Sequence, residues 1–76
     1  MSDAELVEAI VRRVSEQPLG AIGPESRISD LGLDSVDYAE VAAQIEETLD
    51  LDIPFTRWLE ARTVRDVLEL IDRERR

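Results

Sequence analysis

The chain has 76 residues and carries 18 Asp and Glu against nine Arg and no Lys, a net charge of −9. It contains neither Cys nor His, which excludes a disulfide scaffold and a thiolate metal site and removes the commonest general base. With 43% apolar residues the chain can fill one small core but not two, so 1–76 reads as a single domain. No apolar run reaches the roughly 20 residues of a membrane span, and the acidic start MSDAELVEAI is unlike a signal peptide, so a cytoplasmic protein is expected. Phosphate backbones demand Lys and Arg that this surface lacks, and a basic protein is the better partner than nucleic acid.

Ser2-Asp3-Ala4-Glu5 has capping-box spacing, and Leu6, Val7, Ile10, Val11 and Val14 follow at helical intervals, which predicts a first helix over about 3–17. Pro18, Gly20, Gly23 and Pro24 end it and open a long connection to about Gly32. A linker seldom carries so many large aliphatics, and Ile28 and Leu31 are expected to pin this one to the core.

Asp34 reads as an N-cap with Asp37 three residues on, both favoured by the positive end of the helix dipole. The second helix is predicted over 35–49, burying Tyr38, Val41, Ala42, Ile45 and Leu49 and exposing Val36, Asp37, Glu40, Ala43 and Glu47. Leu51-Asp52-Ile53-Pro54 is a turn, and 55–60 has room for one or two helical turns only. Thr63 has N-cap spacing to Asp66, and Val64, Val67, Leu68 and Ile71 make the core face of a last helix over 64–75. Trp58 is expected to close the core beside Phe55 and Leu59. The fold class is therefore all-α, a small four-helix bundle of three longer helices and a short third, with a long connection after the first.

The charge is uneven. Residues 34–52 hold seven acids and no base: Asp34, Asp37, Glu40, Glu46, Glu47, Asp50 and Asp52. A solvated helix face is the ordinary reading of such a run, but an ordinary face uses Lys or Arg three or four residues on to offset repulsion. Their absence favours a docking surface.

The side chains available for chemistry are carboxylates, Arg, five Ser, three Thr and one Tyr. Leu33-Asp34-Ser35-Val36-Asp37 is not the Gly-x-Ser-x-Gly elbow of a hydrolase, and no His is present to serve it. Calcium fails as well: with Ser29 first and Glu40 twelfth in an EF-hand loop, Asp34 falls where the turn needs Gly. No metal site is predicted, and catalysis is not expected. One hydroxyl stands apart. If Asp34 supplies the cap, Ser35 occupies the first helical position with its side chain unspent, where free N–H groups would stabilise a phosphate delivered to it. The plain alternative is that Ser35 is itself an ordinary capping residue.

The stretch Asp30-Leu31-Gly32-Leu33-Asp34-Ser35-Val36-Asp37 resembles the signature of acyl carrier proteins, in which an Asp-Ser pair opens the second helix after a Leu-Gly-containing loop. The likeness covers nearly the whole chain: the first helix, the long connection, the acidic second helix, the turn before Pro54 and Thr63-Val64 at the start of the last helix. It implies a non-catalytic carrier whose Ser35, beside the motif and cap residue Asp34, bears 4'-phosphopantetheine taken from coenzyme A by a separate phosphopantetheinyl transferase. The thiol of that arm would hold acyl, ketide or aminoacyl groups as thioesters, which explains a chain without Cys or His. The family's docking positions fall here on Val36, Asp37, Glu40, Ala43, Glu46 and Glu47, facing the transferase, an acyl- or aminoacyl-loading enzyme, an acyltransferase or a ketosynthase. Val36 stands where Leu or Met is more usual, and Ala43 where many relatives have a larger apolar residue. The segment 55–61, with Trp58-Leu59, resembles peptidyl and polyketide carriers, whereas Leu33-Asp34 does not fit the peptidyl pattern. Met1 directly before the first helix suggests a free-standing monomeric carrier, and the Arg-only basic set leans toward polyketide or related specialised metabolism. The competing reading is an unmodified acidic helical adaptor for a basic protein.

Overall fold

A reciprocal capping box opens three of the four helices, and those boxes set where the chain turns. The computed structural model describes residues 1–76, with α1 at Asp3–Val14, α2 at Ser35–Leu49, α3 at Phe55–Glu60 and α4 at Val64–Arg75. Ser2 and Glu5 exchange side-chain-to-backbone hydrogen bonds at the start of α1, as do Asp34 and Asp37 at α2 and Thr63 and Asp66 at α4. Each box satisfies N–H groups that the first helical turn leaves without partners. The short α3 has no side-chain cap; it follows Pro54, whose missing N–H and fixed φ suit a helix entrance.

α2 packs against α1 and α3, and α4 closes the bundle against the same two helices. Their apolar faces meet in one cluster of 14 buried residues, among them Val7, Ile10, Tyr38, Ile45, Trp58 and Ile71. The expected bounds of α2, α3 and α4 coincide with the observed ones. α1 is shorter than the predicted 3–17: Ser15 is already extended (φ −70°, ψ 131°) and is the one polar residue in the buried set. Its hydroxyl fills the space where a Gly32 side chain would start, and the helix is over three residues before Pro18.

Two core assignments are corrected. Leu70 is fully buried on α4, while Leu68 is half-buried at the edge of the cluster; α4 touches both α1 and α3, so its buried stripe is wider than the predicted one. Leu49, expected in the buried stripe of α2, is half-buried at the edge of the cluster. Trp58 closes the core as expected, completely enclosed, with Phe55 and Leu59 39% and 60% exposed.

The long connection is fastened to the start of α4. Leu31 is buried and Ile28 packs against the core, on either side of a single 3-10 turn at Ile28–Asp30. Three backbone hydrogen bonds complete the attachment: Ile28 N–H to Arg62 O at 2.9 Å, Val64 N–H to Ser26 O at 3.0 Å and Arg65 N–H to Pro24 O at 2.9 Å. Arg27 and Thr63 thereby form an isolated antiparallel bridge. A 2.8 Å ion pair between Arg65 and Glu25 lies on the same seam, in solvent, where such a pair contributes little.

Candidate functional site

Gly32 turns the chain into α2. Its φ of +69° belongs to the left-handed region that L side chains rarely enter, and a Cβ there would stand 2.9 Å from the Gln17 side-chain oxygen and 3.3 Å from Ser15 Oγ. Leu31 buries on one side of this turn and Leu33 half-buries on the other. Asp34 then caps the helix: its Oδ1 accepts the Asp37 N–H at 2.7 Å, while Asp37 Oδ2 accepts the Asp34 N–H at 3.4 Å. Ser35, first residue of α2, is exposed and takes no part in the cap. Its hydroxyl therefore stands free at the positive end of a 15-residue helix.

Ser35 opens onto a surface cleft of about 500 Å³. Leu33, Tyr38, Leu59 and Ile28 give it an apolar floor, and Arg27 and Arg62 face it from the seam between the connection and α4. Nothing in the sequence joins these two arginines to Ser35. They are far apart in the chain, and only the backbone bridge at Arg27 and Thr63 brings them side by side.

A polar clamp holds α3 beside this cleft. The Tyr38 hydroxyl donates to Trp58 O at 2.6 Å, and the Trp58 indole N–H donates to Glu46 Oε1 at 2.8 Å. The Tyr38 ring meets Trp58 edge-on, with centroids 6.4 Å apart, and Phe55 at 6.1 Å. Burial, helped by the charge of Asp66, pushes the Tyr38 phenol up to about 12; it is a neutral hydrogen-bond donor at any physiological pH.

Of the expected docking residues, Val36, Glu40, Ala43 and Glu47 are exposed at intervals of three and four along one stripe of α2. Val36 is 75% exposed. Asp37 is half-buried and engaged in the cap, and Glu46 is half-buried and engaged with Trp58. Glu40 and Glu47 share a shallow hollow with Arg13 of α1, whose guanidinium is bonded to Gln44. No helix is long and apolar enough to cross a membrane.

The model of the family described as phosphopantetheine attachment site matches residues 5–71. An acyl carrier protein of Helicobacter hepaticus is 34% identical over 73 residues, covering 95% of this chain and 96% of that one. An acyl carrier protein homolog of Mycoplasmopsis pulmonis is 30% identical over 67 residues, 88% of this chain and 92% of its own length. The non-reducing polyketide synthase Preu3 of Preussia isomera is 31% identical over 65 residues, 86% of this chain but only 3% of the synthase. No solved structure matches the chain. A helical bundle with an exposed seryl hydroxyl at a helix entrance, matched along most of its length by the attachment-site model, is a phosphopantetheine-bearing protein. The chain belongs to the acyl carrier protein family, and its prosthetic group is a covalently attached 4'-phosphopantetheine.

Proposed function

We propose that Ser35 is the attachment residue and that the protein is a non-catalytic carrier of acyl or ketide groups. The observation that carries this is the division of labour at the α2 entrance: Asp34 makes the cap, and the Ser35 hydroxyl is left exposed and unspent. The residues fit the group. The hydroxyl faces solvent, where an external transferase can reach it, and the cleft beside it has room and an apolar floor. On modification, Ser35 Oγ loses its proton and forms a phosphodiester with the phosphopantetheine part of coenzyme A, whose nucleotide part leaves. When bound, the arm supplies the thiol on which a thioester can be held.

The chain's own residues do the rest. Val36, Glu40, Ala43 and Glu47 form the surface offered to the transferase and to acyl-loading and condensing enzymes, with the acids steering basic grooves and the two apolar residues packing at contact. Asp37 sets the α2 entrance, and Glu46 holds α3. The likeness to a segment of a polyketide synthase, at an identity close to that of the stand-alone carriers, supports a place in polyketide or related specialised metabolism.

The test is intact mass before and after incubation with coenzyme A and a broad-specificity phosphopantetheinyl transferase. The expected result is a gain of one phosphopantetheine by the wild type and none by Ser35→Ala. No gain by folded wild type, with the transferase active on another carrier, would overturn the assignment and return the chain to an unmodified acidic adaptor.

A further inference from the structure

The cleft at Ser35 brings together two cations that make no ion pair, although the charge of Arg62 is also felt by Asp66. Arg12, Arg65, Arg75 and Arg76 each pair with a carboxylate, and Arg13 is bonded to Gln44. Arg27 and Arg62 line the cleft with Ser35 and have no acid within ion-pairing distance. Their backbones are fixed by the Ile28-to-Arg62 and Val64-to-Ser26 hydrogen bonds, so both residues are carried on a braced seam that lines the same cleft as Ser35.

An anion joined to Ser35 Oγ meets an unfriendly neighbour on its other side. Asp34 and Asp37 lie within two residues of it, Asp34 already occupies the Asp37 N–H, and the segment 34–52 has no base. Repulsion of that kind drives a phosphodiester toward unpaired cations that line the same cleft, and guanidinium is the side chain best shaped to receive two phosphate oxygens at once.

We propose that Arg27 and Arg62 hold the phosphodiester of the arm at this cleft, so that the arm starts along Leu33 and Leu59 instead of projecting freely into solvent. The inference rests on Ser35 being the attachment residue. It makes Arg27 and Arg62 positioning residues for the prosthetic group, acting through its phosphate whatever the cargo.

The test uses holo protein prepared from the wild type, Arg27→Gln, Arg62→Gln, the double variant and Arg73→Gln, a control that removes the same charge from the last turn of α4. Intact mass confirms one arm per chain, and amide spectra of apo and holo forms are compared. In the wild type and in Arg73→Gln, the arm is expected to shift the amides of Arg27, Ile28, Arg62 and Thr63 as well as those of Ser35 and Val36. In the double variant the first group no longer shifts and the second still does. The wild-type shifts at 27–28 and 62–63 also shrink as salt is added, because a solvent-facing ion pair is screened over about 8 Å at physiological ionic strength. Arm-dependent shifts confined to 35–36 in the wild type, or unchanged in the double variant, would overturn the proposal. Should the double variant fail to fold, the wild-type salt titration decides, and salt-independent shifts count against it. A wild type that gains no arm fails at the mass step, which separates failure of the attachment assignment from failure of the arginine clamp.

Discussion

The indole N–H of Trp58 donates to the Glu46 carboxylate across 2.8 Å, tying the completely enclosed side chain of α3 to the acidic face of α2. One of the seven acids in 34–52 is thus a fastening. Hydrogen bonds to charged groups contribute about 1.5 to 3 kcal/mol, and losing the acceptor leaves the indole unsatisfied. Glu46→Ala is expected to destabilise the fold by about 2 kcal/mol in urea unfolding and to red-shift the emission of the only Trp. Glu47→Ala, on the exposed stripe, should stay within about 0.5 kcal/mol. Equal costs for the two would show that the indole bond does not hold α3.

Gly32 carries a second prediction. Gly32→Ala forces an L residue to φ +69°, at a cost of about 1 to 2 kcal/mol. The nearest clash is with the end of a Gln17 side chain that is exposed and can move. The strain is therefore expected to survive in the Gly32→Ala, Gln17→Ala double variant, and rescue by the second change would assign the effect to the clash instead.

The helix entrances were legible because capping is local chemistry. Ser2, Asp34 and Thr63 each announce a start three residues before an acid that completes the box, and the observed α2 and α4 begin where that spacing says. The free hydroxyl of Ser35 was legible for the same reason, since with Asp34 as the cap the next side chain is left unspent. The end of α1 was not, because Ser15 leaves the helix beside Gly32, 17 positions away in the chain. The seam between 24–28 and 62–65 was hidden too. It is built from backbone hydrogen bonds, which leave no side-chain signature, so Arg27 and Arg62 gave no sign of sharing a cleft with Ser35.

Charge repulsion gives a third expectation. With α2 lacking any base, and every ion pair in the protein at least partly in solvent, screening should relieve more repulsion than it removes attraction. Tm is expected to rise with added salt, and to rise less in Glu40→Gln, Glu47→Gln. A Tm that falls with salt would mean that the exposed pairs outweigh the acidic face.

Reversing the charge on that face separates docking from folding. Glu40→Arg and Glu47→Arg are expected to leave circular dichroism unchanged and to slow modification by the transferase mainly through KM. Unaltered transferase kinetics would place the contact surface elsewhere.

Stability should bend at both ends of the pH scale. The Arg62 N–H and the Thr63 cap hold the Asp66 carboxyl below its ordinary 3.8, and the Ser2 cap holds Glu5 below 4.5. These contributions are in place above those ordinary values and are lost as pH falls through the lower folded ones, so the stability supplied by the two caps should begin to fall below about pH 4.5, a loss that urea unfolding across that range checks. Tyr38 has the opposite sign: its folded value is raised from 10.0 to about 12. Its contribution is complete below pH 10 and disappears as pH rises through about 12. Absorbance at 295 nm, from a chain with one Tyr, should titrate near 12 while the protein is folded, and a midpoint near 10 with helicity intact would contradict the buried hydrogen bond to Trp58.

The seam between the long connection and α4 also orders events during synthesis. A nascent chain that has emerged only through α3 has the Asp34 capping box and the Gly32 turn in the open, yet the Arg62 carbonyl and the Val64 and Arg65 amides that anchor residues 24–28 are still inside the ribosome. Arg27 therefore has no fixed place until the polypeptide beyond residue 65 has left the ribosome. A transferase that reads only α2 could meet Ser35 earlier than that, but the cationic wall of its cleft is assembled last.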